Sequence, residues 1–477
     1  MIRRYFTAIT VAALTIAPGF AQSVEPAPIP SDIRASTDEL IARGLADDVG
    51  LNFVEGLTTE VGQRLAGSEA ETRARNWSVE KLEALGFQNV RVEDFEIPFW
   101  SRTLESASII GPAAQSLTLT ALGGSAATPK GGVTAEIIKF DSIAELRAAD
   151  PATVEGKIVF IDEHTTRTQD GSGYGYGVRK RRNCAADTIE KGGVACLIRS
   201  VGTQQRRFAH TGIMARDAAV GAGPAAALSP PDADQLVRLL ERGPVSVNLD
   251  IQIETLESVP SGNVVAEVPG SGDLADEIIL IGCHLDSWDL GTGALDDGAG
   301  CGIVVGAAKL IADMPGETRR TIRVVLYGAE EVGLFGARAY AQAHTDELGQ
   351  HVLASESDFG AGPIWRFQTR FGDGALPYAS AMQGALADLG IIPGNNEAFG
   401  GPDIGVLARA GVPVVTPGQN GVDYFDYHHT PDDTFDKINP EDFRQNVATY
   451  AAFVWLASET GWNFRTKLDA ENPVGTD

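Results

Sequence analysis

Histidines and acidic residues recur together in five short segments of this sequence, each at a turn or in a loop. The segments contain His284 and Asp286, Asp296 and Asp297, Glu330 and Glu331, Asp358, and His428 and His429. Imidazoles and carboxylates without a thiolate are the ligands that zinc, cobalt or manganese takes in a dinuclear hydrolytic site. Each segment is weak evidence alone, but their coincidence predicts hydrolysis assisted by two divalent cations.

Two of these segments indicate which residues could bind metal and which could act as a base or as a support. In an extended chain, residues two apart point to the same side, so His284 can bind a metal while Asp286 holds the other ring nitrogen. The alternative is a strand-end histidine beside a solvent-facing aspartate. Glu330 and Glu331 follow an apolar strand, and adjacent acids on a tight turn repel one another unless a cation lies between them. One can bind metal while the other accepts a proton from the attacking water.

The glycine-rich turn at residues 291–300 superficially resembles a loop that binds nucleotide phosphates. Asp296 and Asp297 lie in the middle of it and would repel a pyrophosphate, which excludes that function. Carboxylates at this turn suit a cation, and one of them could bridge two metals. A pair of aspartates that caps the following helix is the alternative.

The elements that would position these residues alternate between strands and helices from Val264 onward. Strands are predicted at residues 277–283, 321–327, 352–357 and 412–416, and helices at 298–314, from about 333, and at 440–458. Such alternation predicts an α/β fold whose sheet is covered by helices on both faces. Function gathers at the carboxyl ends of strands in such sheets, and the candidate residues fall there.

The chain before Val264 predicts a helical start and then an insertion. Residues 33–85 are predicted to be helical, with a strand at 90–99. From about Ile109 to Leu256 the pattern changes to short strands, turns and brief helices. We therefore predict a small, mostly-β domain at residues 109–256, inserted into a catalytic domain formed by residues 22–108 and 257–477.

The candidate segments, taken with their flanks, resemble the M28 family of zinc exopeptidases, in its carboxypeptidase Q-like (plasma glutamate carboxypeptidase-like) branch. The matching motifs occur in family order and are HLDSWDLGTGALDDGAG, GAEEVGLFG, SESDFG and HHTPDDT. The resemblance implies a zinc-exopeptidase-type mixed sheet, with residues 109–256 similar to the protease-associated insert of that branch.

The resemblance also implies a role for each candidate residue. His284 and Asp358 would bind one metal, Glu331 and His429 the other, with Asp296 between them, Glu330 as the base and Asp286 as the support of His284. In another branch of the family a tyrosine precedes the second histidine as an oxyanion donor, and here that position is His428. Together with the need for two adjacent acids to diverge, the resemblance predicts a cis bond between Asp296 and Asp297.

Bulk composition limits the partners and the compartment. The chain has 64 acidic and 38 basic side chains, a net charge of −26, which argues against binding to nucleic acid or to an anionic membrane. Simple solubility is the plainer account of this charge. Residues 1–21 are predicted to be a secretory signal, with a basic start, an apolar stretch and small residues at the cleavage point. No later apolar run is long enough for membrane insertion, so we expect a periplasmic or secreted protein.

The remaining cysteines, histidines and basic residues give weaker expectations. An oxidising compartment permits a disulfide between Cys184 and Cys196, whereas Cys283 is predicted to be a buried free thiol. The basic run at residues 179–182 is interpreted as a solvated helix start, although it could reach over the cleft to a substrate carboxylate. The other histidines are predicted to be structural or surface groups: His164, His210, His344 and His351.

The sequence therefore predicts an exported exopeptidase that uses two divalent cations, most simply zinc, on dipeptides or short peptides with a free amino terminus. Two alternatives stay open: a one-metal aminoacyl cyclotransferase, and a non-catalytic binding protein on the same fold. Asp296 together with Glu331 and Asp358 favours two metals over one, and Glu330 argues against a binding protein. A homodimer is one of the assembly states that the sequence leaves open.

Overall fold

The computed structural model describes residues 24–215 and 223–465, so the predicted signal at residues 1–21 lies outside the described residues. The strands are β1 (Gln88–Ile110), β2 (Gln115–Leu117), β3 (Leu119–Ala121), β4 (Val133–Phe140), β5 (Ile158–Ile161), β6 (Ala195–Arg199), β7 (Ala225–Leu228), β8 (Ser246–Val268), β9 (Ile278–His284), β10 (Thr321–Tyr327), β11 (His351–Glu356), β12 (Ile364–Arg370), β13 (Ile392–Pro393) and β14 (Val414–Gln419). The α-helices are α1 (Ser31–Gly44), α2 (Val49–Gly56), α3 (Glu69–Ala84), α4 (Ile143–Ala148), α5 (Pro151–Val154), α6 (Ser172–Glu190), α7 (Pro230–Leu240), α8 (Ala299–Ala312), α9 (Phe335–Ala343), α10 (Leu376–Ala385), α11 (Ile404–Arg409) and α12 (Pro440–Glu459). Within the described ranges, none of the helices has the length and apolar character that a membrane span needs.

The helix boundaries follow from local side-chain chemistry. Ser68 precedes α3, and its hydroxyl accepts a hydrogen bond from the amide of Glu71 at 3.2 Å. Asn439 precedes α12 and accepts from the amide of Glu441 at 2.9 Å, with Pro440 as the first helical residue. These are the N-cap and first-turn preferences of α-helices, which satisfy donors that have no partner within the helix.

The strands form one mixed sheet, in the order β13-β12-β14-β11-β9-β10-β8-β4-β5-β6-β7-β3, with β1 paired along β8. β10, β9, β11 and β14 are parallel neighbours, whereas β8 is antiparallel to β10 and β12 to β14. Parallel neighbours present their carboxyl ends at one edge, which gathers the segments that follow β9, β10, β11 and β14.

Helices cover both faces of this sheet, as predicted. On β9, Ile279 and Ile281 pack into a core shared with α2, α8 and α12, whereas Leu280 packs on the opposite face with residues of α9 and α11. On β10, Val324 and Val325 divide between the same two cores. Burial on both faces explains why these strands read as continuous apolar runs.

The segment at residues 109–256 has cores of its own but is not mostly β. Phe160 packs on one face with α7, while Val159 packs on the other with α4 and α6. The prediction of brief helices is wrong for α6, which has 19 residues. Its first turns contain several glycines and it buries Lys180 and Arg181, so no apolar periodicity marked it as a helix.

Two long antiparallel strands connect this segment to the rest of the sheet. β1 and β8 each have 23 residues and pair along their length, from Gln88 with Glu267 to Ile110 with Ser246. The predicted limits, Ile109 and Leu256, lie within these strands. No break in secondary structure marks either limit, so the division into domains stays a prediction that the separate cores favour.

Two disulfides connect adjacent elements. Cys184 of α6 bonds to Cys196 of β6, the pair that the compartment left open. Cys283 of β9 bonds to Cys301 of α8, so the prediction of a free thiol at Cys283 is wrong. The reason is tertiary: α8 packs closely on β9, which brings the two α-carbons within 5.0 Å.

Candidate metal centre

The carboxyl ends of β9, β10 and β11 bring the predicted residues together. His284 ends β9 and pairs in register with Tyr327, the last residue of β10, so the turn with Glu330 and Glu331 lies beside it. β11 runs parallel on the other side of β9, and Asp358 follows its end. Three of the five candidate segments therefore meet through strand order rather than through closeness in sequence.

The two adjacent aspartates in the turn between β9 and α8 have different partners. The bond between Asp296 and Asp297 is cis, as predicted. The Asp297 carboxylate accepts hydrogen bonds from the amides of Gly300 and His284, both at 3.1 Å. The alternative of a helix-capping aspartate thus describes Asp297, whereas Asp296 faces the histidines.

His284 is held with one nitrogen toward the carboxylates. Its Nδ1 donates to the backbone carbonyl of Asp286 at 2.9 Å, which leaves Nε2 at 3.1 Å from Oδ1 of Asp296 and 3.6 Å from Oδ1 of Asp358. Burial opposes the charged form, but Asp358 and Asp296 outweigh it and hold the pKa of His284 well above its ordinary value. Nε2 is therefore the atom available to a metal.

The predicted role of Asp286 is wrong in detail. Its carboxylate lies 3.7 Å from the His284 ring nitrogen, which is too far for a hydrogen bond. Instead it accepts from the amides of Glu330 at 3.0 Å and Glu331 at 3.3 Å. Because β9 ends at His284, the alternation of an extended chain does not continue to Asp286, and its side chain fixes the neighbouring turn.

Glu331 and His429 meet on the other side of Asp296. Oε2 of Glu331 lies 2.9 Å from Nε2 of His429 and accepts a hydrogen bond from the Trp288 indole at 2.7 Å. Nε2 of His429 is also 3.1 Å from Oδ2 of Asp296. Burial lowers and Glu331 raises the pKa of His429, which reaches about 9. Asp296 thus faces His284 with one oxygen and His429 with the other.

Glu330 lines the cleft beside these groups. Its side chain borders a cavity of about 570 Å³ that also reaches Asp296, Asp358 and His429. Burial raises the pKa of Glu330 well above its ordinary value, and the nearby Asp358 and Glu331 carboxylates raise it further although His284 opposes them. A carboxyl with a raised pKa, facing the cavity, is placed to exchange a proton there.

His428 lies flat against His429, with the ring centroids 3.5 Å apart. Its Nε2 is 3.5 Å from Oδ2 of Asp296, and its Nδ1 is buried without a hydrogen bond to any described residue. Burial and the neighbouring His429 hold the pKa of His428 well below its ordinary value. The ring is therefore neutral and available to a ligand in the cavity.

Several residues outside the predicted set support the centre. Asp433 accepts from the amides of Leu295 at 2.6 Å and Asp296 at 3.2 Å, and burial raises its pKa to about 7. Arg64 is fully buried and donates to the carbonyls of Leu285, Gly62, Thr292 and Gly293. Asp433 could have been found, because it belongs to the HHTPDDT motif, but no local signal marked Arg64.

His210 and Thr211, in the segment at residues 109–256, also contribute to the centre. The Nδ1 of His429 donates to the carbonyl of Thr211 at 3.2 Å, and the Nδ1 of His210 donates to the carbonyl of His428 at 2.7 Å. His210 is thus a structural group, as predicted, although it acts at the site itself. The carbonyl of Thr211 fixes which nitrogen of His429 faces Asp296.

The basic run at residues 179–182 is not a solvated helix start throughout. Lys180 is fully buried, and its ammonium donates to the carbonyl of Glu163. Arg181 is 6% exposed, and its Nη1 lies 3.4 Å from both the Thr211 carbonyl and Nδ1 of His429. The interpretation as solvated surface is therefore wrong for these two residues, because Lys180 is buried against Glu163 and Arg181 lies toward the cleft.

The donor set fits a pair of divalent cations. His284, Asp296 and Asp358 form one group of ligand atoms within 4.8 Å of one another, and Asp296, His428 and His429 form a second. Oε1 of Glu331 is buried without a hydrogen-bond partner among the described residues. A space of about 10 Å³ borders Asp296, Glu331 and His429. Buried carboxylates in this number require positive charge, which protons or divalent cations supply.

Comparisons with known proteins agree with this geometry. The sequence profile of Peptidase family M28 matches residues 263–454, which include every predicted ligand. Mouse carboxypeptidase Q is 33% identical over 407 residues, 84% of each chain. The crystal structure of a peptidase M28 precursor from Shewanella amazonensis is 48% identical with a TM-score of 0.89, covering 91% of this chain and 98% of that one.

A more distant structure agrees on the fold alone. The zinc aminopeptidase of Bacillus subtilis has a TM-score of 0.64 at 20% identity, over 88% of this chain and 98% of that one. The fold class predicted from the sequence, a mixed α/β sheet of the zinc-exopeptidase type, is therefore confirmed. With its ligand-bearing motifs, its sheet and its relatives in agreement, this chain belongs to peptidase family M28 and is a metallopeptidase of that family.

Proposed function

We propose that this protein is an exported, dinuclear zinc exopeptidase that hydrolyses dipeptides and short peptides with a free amino terminus. The observation on which the proposal rests is the position of Asp296. Its two oxygens each lie 3.1 Å from a different histidine, Oδ1 from His284 and Oδ2 from His429. A carboxylate between two imidazoles in this way suits a bridging ligand of two cations.

His284 and Asp358 would hold one ion, Glu331 and His429 the other. Zinc bound there supplies Lewis acidity toward the peptide carbonyl and makes a water easier to deprotonate. The names of the relatives, carboxypeptidase Q and zinc aminopeptidase, support this metal and an exopeptidase action. His428 belongs to the same group of donors as His429, and its neutral ring favours a contact with the developing oxyanion.

Glu330 is the proposed base. It faces the cavity, takes a proton from the attacking water and returns it to the leaving amine. The two backbone hydrogen bonds to Asp286 keep Glu330 and Glu331 in fixed orientations, one toward the cavity and one toward His429. Positioning of this kind removes the need for reorganisation during the reaction.

Export is supported by two features. Arg3 and Arg4 precede an apolar stretch and small residues at the expected cleavage point. Two disulfides, in different parts of the fold, suit an oxidising compartment such as the periplasm or the exterior. Cell fractionation with and without residues 1–21 tests the proposal.

Metal counting beside a peptide-library digest tests the function. We expect two zinc ions per chain and release of amino-terminal residues or cleavage of dipeptides. Acetylation of the amino terminus should abolish turnover. One ion per chain with cyclised products would instead favour a cyclotransferase, and tight peptide binding without hydrolysis would favour a binding protein.

A further inference from the structure

A second cavity, of about 290 Å³, adjoins the cleft at Asp358 and Phe359, which border both. The floor of this side cavity is the face of β12 and β14 that points away from α12. Phe367 of β12 packs on Phe453 of α12 with the ring centroids 5.5 Å apart, so the alternation of a strand turns Arg366 to the opposite face. A charged residue therefore lies in the floor of a cavity next to the candidate metal centre.

Arg366 has no acidic partner. It forms no ion pair with a residue in the described ranges, and its Nε is buried without a hydrogen bond to any of them. Its guanidinium lies 4.7 Å from the centre of the Trp365 ring, a contact that holds the group without neutralising it. A β-carbon at Gly418, which pairs with Arg366 across the strands, would lie 2.8 Å from its Cγ, so the glycine leaves room for the side chain. Because the chain has 64 acidic and 38 basic side chains, an arginine without a carboxylate is unusual in it and is available to an anion from outside.

The acidic residues on the wall of the side cavity differ from Arg366, because each has partners or a role of its own. Asp170, Glu356 and Glu397 accept hydrogen bonds from amide or hydroxyl groups of the chain, and Asp358 is a proposed metal ligand. Asp170 and Glu397 are also exposed, so water and salt screen their charges. The charge that the chain leaves unmatched in this cavity is therefore positive, which predicts an occupant with a negative charge.

The position of the side cavity relative to the metal centre indicates which part of a substrate occupies it. A free amino terminus is a cation, and Asp358 and the other carboxylates of the cleft attract it. The amine and the side chain of an amino-terminal residue branch from the same α-carbon, so a substrate whose amine lies beside Asp358 directs its first side chain into the cavity that Asp358 also borders. Phe359 and Phe399 border both cavities and suit the apolar stem of that side chain. The planar fork of the guanidinium matches a carboxylate at its end.

We propose that Arg366 selects substrates whose amino-terminal residue has an acidic side chain, and that this side chain occupies the cavity on β12 and β14. This inference rests on the proposed exopeptidase function and adds the residue that recognises the first side chain of the substrate. The turns after β9, β10 and β11 supply the chemistry, whereas β12 and β14 supply the side-chain selectivity.

The test compares three dipeptides of similar size: glutamyl-alanine, glutaminyl-alanine and lysyl-alanine. For the zinc-loaded wild type, kcat/KM should favour glutamyl-alanine over glutaminyl-alanine by about 10- to 100-fold, the range expected for hydrogen bonds to a charged group. Arg366→Gln should lose most of this preference, mainly through a higher KM for glutamyl-alanine. Arg370→Gln is the matched control and should keep the preference, because Arg370 is an exposed residue further along β12 that does not border the cavity.

A charge reversal separates substrate selection from a structural role of Arg366. Arg366→Glu should make lysyl-alanine the preferred substrate of the three, whereas a structural role predicts that each variant lowers kcat/KM equally for all of them. Equal losses, or a wild type that does not prefer glutamyl-alanine, would overturn the inference. Arg366→Lys keeps the charge but not the fork, and a reduced preference for glutamyl-alanine is expected even if the other variants do not fold. A wild type that hydrolyses none of the three dipeptides would contradict the proposed function itself, so the two failures are distinguishable.

Discussion

Two regions of the sheet differ in the polar residues at their strand ends. The inserted half is formed by β4 to β7 of the segment at residues 109–256, and the catalytic half is formed by β9 to β14. After β5 and β6, Arg199 bridges Asp162 and Asp234, each at 2.7 Å, so these charges compensate one another. After β9 and β10, the carboxylates of Asp296 and Glu331 are buried, each with an oxygen that accepts no hydrogen bond within the described chain. The comparison shows that the fold alone does not identify a functional site. Buried polar groups without a compensating charge or hydrogen bond do identify one.

The halves also differ in the sign of the charge that they bury. The catalytic half gathers carboxylates, whereas α6 of the inserted segment buries Lys180 and Arg181. The two meet where Arg181 approaches His429. Residues of both regions therefore meet at the candidate metal centre, although the predicted ligands all belong to one.

The largest expected effect concerns Glu330 and Glu331. Glu330→Gln should lower kcat by at least about 10²–10⁴-fold, because the amide cannot accept the proton from water. Both metals should remain, since no ligand has changed. Glu331→Gln should instead lower the zinc content, because a neutral amide is a poorer ligand. Zinc content and kcat are measured on both variants. Loss of metal from Glu330→Gln alone would show that the two roles are reversed.

The next prediction concerns the ion pairs of Arg199 with Asp162 and Asp234. Arg199→Met leaves Asp162 and Asp234 without their partner and should lower the free energy of unfolding by about 3–5 kcal/mol. Zinc content at saturating zinc should not change. Arg147→Met is the control, since the pair of Arg147 with Asp187 is more exposed and contributes at most about 1 kcal/mol. Urea denaturation measures the free energy of unfolding of both variants. Equal decreases for Arg199→Met and Arg147→Met would contradict the prediction.

A smaller effect, on zinc affinity, is expected at Gly212, which lies against Arg181 and His429. Gly212 has a φ of +127°, and a β-carbon there would lie 2.4 Å from Nη1 of Arg181 and 2.7 Å from Nδ1 of His429. Gly212→Ala should displace His429 and weaken zinc affinity by about 10–100-fold, the usual cost of disturbing the support of a ligand. Gly349→Ala, where the β-carbon would meet nothing within 4 Å, is the control. Unchanged affinity in a chelator titration would show that the inserted segment does not position His429.

The smallest effect, for a change of one pH unit, is a pH dependence of stability in the segment at residues 109–256. Burial lowers the pKa of Lys180 to about 7, with Glu163 and Asp162 opposing and Arg199 assisting the shift. The unfolded chain then binds a proton that the folded chain lacks between about pH 7 and 10, so Lys180 favours folding more as pH rises. The unfolding free energy of wild type minus Lys180→Met should rise by about 1.4 kcal/mol per pH unit in this window. A flat difference in urea titrations would mean that Lys180 stays charged.

Much of the catalytic half could be predicted because its signals are local. Apolar runs fixed β9 and β10, and the acids that follow them define the edge at which ligands meet. The resemblance to the family, together with two adjacent acids on one tight turn, also predicted the cis bond between Asp296 and Asp297. By contrast, β12 and α11 were missed, because neither has a strong period of its own.

What the sequence by itself determined is the inventory of ligands and the strands that they follow, since residue type and hydrophobic periodicity are properties of short segments. Only the tertiary structure decided which neighbour each side chain meets. It turned Asp286 toward the amides of Glu330 and Glu331, joined Cys283 to Cys301, and placed Arg64 and Arg181 against the centre. These contacts join residues distant in sequence through packing, and packing depends on the whole chain at once.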